Sequence, residues 1–332
     1  MQKRSITVVG AGITGLWQAL TLARRGHRVK LIERSAEPFA EAASAYGGAM
    51  LGPFCETEVY APVVRDLGLK SIGLWRHAFP GTVLEGTLVI AGTRDKSEVE
   101  HFARLTQGHA RLDANAIAKL EPDLESRFGL GLFYAQEGHV APRPAMEFLL
   151  QEARRAGAEV AFGTAWQGAT GGDEKIIDCR GLGARHELAD LRGVRGERLI
   201  VRTREVAFRR PIRLLHPRHP IYVVPWANDT FMVGATVIES DDDGPITVRS
   251  ALEMLGMVYT LHSAFGEAEI VEAGAGVRPA FADNVPKIIV RNRTIHVNGL
   301  YRHGFLLAPA LAELVAEYLE SGAIDDRVFV MR

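Results

Sequence analysis

The sequence predicts an α/β protein whose first domain is a Rossmann-like parallel layer interrupted by a second, inserted domain, and three observations carry this. A β-branched apolar stretch at residues 5 to 9 runs into GAGITG, which places Gly10, Gly12 and Gly15 in the pattern GxGxxG. A helical pattern follows, with Leu16, Ala19, Leu20 and Ala23 on one face and Gly26 as its stop. Val29 to Glu33 then reads as a second strand, completing a βαβ unit of the usual length.

Beyond about residue 75 the pattern changes. Short strand-like pieces such as Thr87 to Ile90 alternate with charged helical segments near 96 to 107 and 113 to 120, which suits an inserted domain. An amphipathic helix at 144 to 156 and the strand Ile176 to Cys179, before a turn at Gly181 and Gly183, return to the first domain. Residues 206 to 240 read as alternating strands and 246 to 265 as a helix, the remainder of the second domain. The last segment has a strand at Ile295 to Val297, a glycine-containing loop at 299 to 304, and a helix ending near Leu319. Pro309 is expected in that helix's first turn, where proline is tolerated, and Gly322 past its end. The first domain is therefore expected at 1–75, 140–205 and 273–332, and the second at 76–139 and 206–272.

Composition narrows the class of function. With 332 residues, 47% of them hydrophobic, the chain supplies a sizeable core. The 39 Lys plus Arg against 40 Asp plus Glu leave a net charge of -1, which gives no global attraction to nucleic acid or an anionic membrane. Cys55 and Cys179 stand far apart with no metal or disulfide spacing, so no metal site is expected. No apolar targeting segment precedes the first strand, and no run approaches the roughly 18 apolar residues of a membrane span, so the cytoplasm is the expected compartment.

The first motif has a physical reading. Gly10 allows the tight turn, Gly12 lets the backbone approach a pyrophosphate, and Gly15 lets helix and strand pack closely. The helix N-terminus offers free N–H groups to the phosphates, and Glu33 is placed to take ribose hydroxyls. This spacing predicts an adenine dinucleotide and leaves FAD and NAD equally open.

Further stretches resemble the D-amino-acid oxidase family of flavoproteins, and most closely its glycine oxidase branch. They are SAYGGAMLGP at 44 to 53, Leu120-Glu121-Pro122 with Glu137-Gly138-His139-Val140-Ala141-Pro142, Tyr222-Val223-Val224-Pro225 with Val233-Gly234-Ala235-Thr236, Gly276-Val277-Arg278-Pro279, and the run from Gly299 to Pro309. Two departures stand out: Ile177 to Arg185 replaces an apolar strand ending in Ala-Gly-Ala-Trp, and Tyr46 with Gly47 lengthens the segment that passes under the flavin.

The resemblance implies FAD as cofactor, and a discontinuous FAD-binding domain capped by an antiparallel-sheet α+β substrate domain. It implies cofactor contacts from Gly10, Gly12, Ile13, Thr14, Gly15, Glu33, Arg34, Ala43, Ser44, Gly48, Ala49 and Met50, from Trp166 through its backbone at the adenine end, and from Arg302, His303, Gly304, Phe305, Leu306, Leu307 and Ala308. It also implies Arg278 as the clamp on a substrate carboxylate, since a guanidinium pairs two donors with both oxygens, with Tyr222 and Arg302 beside it. The helix after Arg302 is expected to present N–H groups to the reduced flavin. No obligatory base is needed, because hydride can leave the α-carbon of a neutral amine directly. The expected reaction is oxidation of glycine or another small amino acid or amine, passing electrons to oxygen or a carrier, and a homo-oligomer is expected by analogy. Three other readings stay open: a flavin dehydrogenase of a 2-hydroxy acid or larger D-amino acid, a non-catalytic dinucleotide-binding protein, and an NAD-binding domain with an unrelated partner domain.

Overall fold

The computed structural model describes residues 3–58, 61–168 and 174–332. Among them, seven strands form one sheet in the order Phe329–Met331, Lys287–Arg291, Thr294–Asn298, Lys175–Asp178, Ser5–Val9, Arg28–Ile32, Glu159–Ala161. Neighbours run parallel except in the hairpin of Lys287–Arg291 with Thr294–Asn298. Ile6 and Val8 of the interior strand Ser5–Val9 are wholly buried, as a parallel strand covered on both faces requires.

The helix Ile13–Arg24 was expected to bury one face. It is buried at Ile13 and throughout Gly15 to Ala23, because the helix Pro142–Arg155 and the last helix, Gly304–Ser321, also pack on it. Its small residues make this possible: Ala19 and Ala23 let neighbouring helices approach closely.

The last helix differs from expectation at its start. It begins at Gly304 and holds Pro309 inside, not in the first turn. Proline lacks the N–H that would bond the carbonyl four residues back, which here belongs to Phe305. The indole Nε1 of Trp75, on the helix Pro62–Ala78, donates to that oxygen at 2.7 Å and replaces the missing bond. Gly322 ends the helix in the left-handed region, φ +77°, with its N–H on the Tyr318 carbonyl at 2.9 Å.

Nine strands form the second sheet. The path runs Ile238–Glu239, Arg192–Arg202, Thr230–Gly234, Ile221–Trp226, Ile212–Leu215, Thr87–Ala91, Leu130–Tyr134, Ala110–Asp113, while Glu269–Ala280 pairs along Arg192–Arg202. It is antiparallel apart from Ile212–Leu215 with Thr87–Ala91, where the two inserted segments meet. Sheet membership therefore cuts the chain elsewhere than the expected boundaries at 205 and 273, because Arg192–Arg202 and Glu269–Ala280 pair with each other in this sheet. Arg-Gly-Val-Arg-Gly-Glu-Arg, the start of that strand, carries too many charges to advertise itself as one.

The two faces of the second sheet have different tasks. Leu199, Val201, Val223 and Val233 pack beneath the helix Val248–Leu261 through Met254, Val258 and Leu261, each full burial stabilising by about 1.5–3 kcal/mol. The opposite face carries Tyr222, Val224, Met232 and Ile200 and meets Met50.

Candidate active site

The turn after the first strand is shaped by its neighbours. Gly10 has φ +97°, and a Cβ there would lie 2.8 Å from the carbonyl oxygen of Cys179. A Cβ on Gly15 would fall 1.8 Å from the Gly10 carbonyl oxygen, so only glycine permits the helix to start this close to the strand. The helix has no acidic residue in its first turn and no side-chain cap from Gly12. Instead Ser44 Oγ accepts from Ile13 N at 3.1 Å. The Glu33 carboxylate accepts from Ala11 N at 2.7 Å and Ser35 N at 3.2 Å, which fixes it at the end of the second strand.

From this loop the site extends through close contacts. A Cβ on Gly304 would sit 3.3 Å from Ile13 Cγ2, and one on Gly47 the same distance from the Phe305 ring. A Cβ on Gly48 would lie 2.7 Å from Tyr222 Cε2. The dinucleotide turn, the start of the last helix, the small-residue segment at 43 to 50 and Tyr222 are thus contiguous, although they come from four distant parts of the chain. Ala49 takes a positive φ of 51° and is followed by Met50, which pairs with His139. Leu306, Leu307 and Ala308 are buried in the first turns of the last helix.

Two of the expected cofactor residues lie apart from this row. Trp166 packs against Val9, Ile32 and Ile176, close to Glu33, whose carbonyl accepts from Thr164 N at 2.8 Å. Arg34 is exposed and pairs with Glu41 at 2.6 Å, so its side chain points to solvent. Thr14 is half-buried beside the glycine turn.

Arg278 and Tyr222 share one face of the second sheet. The Arg278 guanidinium lies over Gly196, where a Cβ would be 1.9 Å from Nη2, and its Nη1 donates to the Thr236 carbonyl at 3.1 Å. Arg302 is held by Glu56, with Nε to Oε2 and Nη2 to Oε1 both at 3.1 Å. His303 Nδ1 lies 3.5 Å from the same carboxylate and Arg213 Nη1 3.8 Å. Burial pushes the Glu56 carboxyl up, but Arg302, His303 and Arg213 outweigh it and hold the group below the usual range. Burial drops His303 to about 4, so the imidazole is neutral at pH 7. The sequence reading missed Glu56, because Cys-Glu-Thr-Glu looks like an ordinary exposed acidic turn.

The segment Asp178 to Arg185 forms an ion network under the glycine turn. Arg180 Nη2 pairs with Asp178 at 2.6 Å and Glu187 at 2.5 Å, and His296 Nδ1 lies 3.0 Å from Asp178. Burial raises the Asp178 carboxyl, but its bonds to Arg180 and His296 outweigh this and hold it at about 2. Asp178, Glu187 and His296 are near enough to share an ion, yet the permanently charged guanidinium already bridges both carboxylates. The network ties the strands Lys175–Asp178 and Thr294–Asn298 together at the loop end of the sheet.

These residues fit a flavin dinucleotide: a glycine turn too tight for a Cβ at Gly10 or Gly15, a helix start with no acidic side chain to repel phosphates, a fixed carboxylate for ribose, and an apolar small-residue run leading to a tyrosine. Known proteins agree. The putative thiamine biosynthesis oxidoreductase ThiO of Rhizobium etli is 50% identical over 315 residues, covering 95% of this chain and 96% of the relative. Glycine oxidase of Geobacillus kaustophilus is 25% identical over 365 residues, covering 95% and 92%. The crystal structure of glycine oxidase from Bacillus cereus superposes with a TM-score of 0.82 at 22% identity, over 99% of both chains. Residues 5–318 match the family described as FAD dependent oxidoreductase, and with that match the chain belongs to this family, the DAO family, and takes FAD as its cofactor.

Proposed function

We propose that this chain oxidises the carbon–nitrogen bond of glycine or a similarly small amino acid or amine, the imine product then hydrolysing in water. The observation that carries the reading is the shared sheet face of Tyr222 and Arg278, which meets the small-residue segment at Gly48. FAD, when bound, supplies the hydride acceptor. The Arg278 guanidinium clamps the substrate carboxylate with two parallel donors, Tyr222 offers its hydroxyl to the same group, and Arg302 completes the anion site. The Glu56 carboxylate orients Arg302. The cofactor contacts are assigned to Gly10, Gly12, Ile13, Thr14, Gly15, Glu33, Ala43, Ser44, Gly48, Ala49, Met50 and His303 to Ala308, with the backbone near Trp166 at the adenine end. Similarity to the Rhizobium protein supports a place in thiamine biosynthesis; in this reading the electrons pass to oxygen or an electron carrier, and the compartment is the cytoplasm. No helix among the described residues is long and apolar enough to cross a membrane.

The test is anaerobic addition of glycine, sarcosine, D-alanine and a 2-hydroxy acid to the purified yellow protein. Loss of the flavin band on addition of a small amine supports the reading. Bleaching by the hydroxy acid alone overturns the substrate and keeps the cofactor.

A further inference from the structure

On the face of the second sheet that carries Tyr222, one cross-strand row runs Tyr222, Gly234, Arg198, Gly274. Directly opposed residues project on the same side of a sheet, so Arg198 stands beside Tyr222 with only a glycine between them. Two residues along, Gly196 opposes Gly276, and beyond them Val194 opposes Arg278, whose guanidinium lies back over Gly196. A floor of glycines therefore separates two guanidiniums and a phenol.

Arg198 is 2% exposed. Its Nη2 donates to Glu272 Oε1 at 2.8 Å and to the Ala45 carbonyl at 3.2 Å. Its Nε and Nη1 are buried and have no acceptor among the described residues, a costly state for a charged donor. The groups that face it electrostatically are Glu272, Arg143, Tyr46 and Tyr222, so that Arg198 and Arg143 together set two cations against one carboxylate. Its Cζ lies 5.4 Å from the Tyr46 ring centre and 5.9 Å from that of Trp226. The plug over Gly234 is soft: Met232 Cε lies 2.8 Å from where a Cβ would be, and methionine repacks readily.

We propose that Arg198 is a specificity-determining residue, taking a second carboxylate on the substrate through Nε and Nη1 when Met232 swings aside. The preferred substrates are then small amino acids or amines bearing two carboxylates, of the D-aspartate or iminodiacetate type. The proposal rests on the amine-oxidising reading and sharpens its substrate.

The experiment uses the FAD-loaded protein and pairs of equal shape that differ by one charge: D-aspartate against D-asparagine, and iminodiacetate against its monoamide, with glycine as reference. At least one diacid is expected to exceed its amide in kcat/KM by roughly tenfold or more, through a lower KM. Arg198→Met is expected to bring that ratio close to one. Arg198→Lys, which keeps the charge and loses Nε, lowers the same ratio and replaces the first variant if that one does not hold FAD. Equal rates for diacid and amide in the unaltered protein, or a preference that survives both substitutions, overturn the assignment and leave Arg198 as a tether for the turn at Ala45. Failure of glycine and all the other amines to reduce the flavin overturns the broader reading instead.

Discussion

Trp75 is predicted to carry a backbone bond that Pro309 removed. In Trp75→Phe the indole donor is lost and the Phe305 carbonyl is left buried without a partner, which costs about 1–3 kcal/mol beyond the lost ring volume. Pro309→Ala supplies an N–H at the position from which a helix bonds Phe305, so in that background the carbonyl is satisfied without the indole. The volume lost with the indole is the same in both backgrounds, so a double-mutant cycle isolates the hydrogen bond. The unfolding entropy of about 2.1 cal/mol/K per residue is roughly 0.7 kcal/mol/K over 332 residues. The bond therefore corresponds to about 1.5–4 °C in Tm. Thermal unfolding of the four proteins at fixed FAD concentration is the assay. The reasoning fails if Trp75→Phe lowers Tm equally with proline and with alanine at 309.

Three further outcomes are expected. Gly15→Ala places a Cβ against the Gly10 carbonyl, and should abolish co-purification of FAD, read from the visible spectrum; a yellow variant with normal flavin content would refute the close-packing argument. Glu56→Gln removes the charge that holds Arg302 and should lower kcat/KM for glycine by roughly tenfold, whereas an unchanged value would mean Arg302 is positioned without it. Glu137 is buried, accepts from Phe54 N and Cys55 N at 2.8 Å, and is pushed up by burial to about 7. The folded chain then holds a proton that the unfolded chain releases above about 4.3, so this group makes stability fall as pH rises between those values, by up to about 1.4 kcal/mol per unit. Glu137→Gln should flatten that slope in denaturant titrations from pH 4.5 to 7; a constant difference from the parent across the range would contradict it.

The parts legible in the sequence were those fixed by short-range chemistry. The spacing of Gly10, Gly12, Gly15 and Glu33 determines a local turn, and the structure shows that turn with the strands on either side. Gly322 likewise reads as a stop because a left-handed residue must end a helix there. What escaped depends on pairing across long separations. Arg192–Arg202 meets Glu269–Ala280 some 70 residues later and Thr230–Gly234 some 30 residues later; these pairings make a strand of an arginine-rich stretch, and the second sets Arg198 beside Tyr222 across Gly234. Pro309 was misplaced for a related reason: the sequence near it does not reveal that a tryptophan 234 positions earlier satisfies the carbonyl its ring leaves open. Glu56 is invisible until Arg302 and His303 fold onto it.

The way the first sheet is assembled has a consequence for how the chain is made. Ser5–Val9 leaves the ribosome well before Thr294–Asn298, two places along the same sheet, and before the helix Gly304–Ser321, which packs on Ile13–Arg24 and Pro62–Ala78. Until then a nascent chain carries two helices with their apolar sides uncovered. A stop codon just before residue 299 would remove the helix Gly304–Ser321 and leave Leu16, Leu20, Val64 and Leu67, which share its apolar cluster, without that cover. The remainder would be a target for chaperones and proteases, not a smaller enzyme.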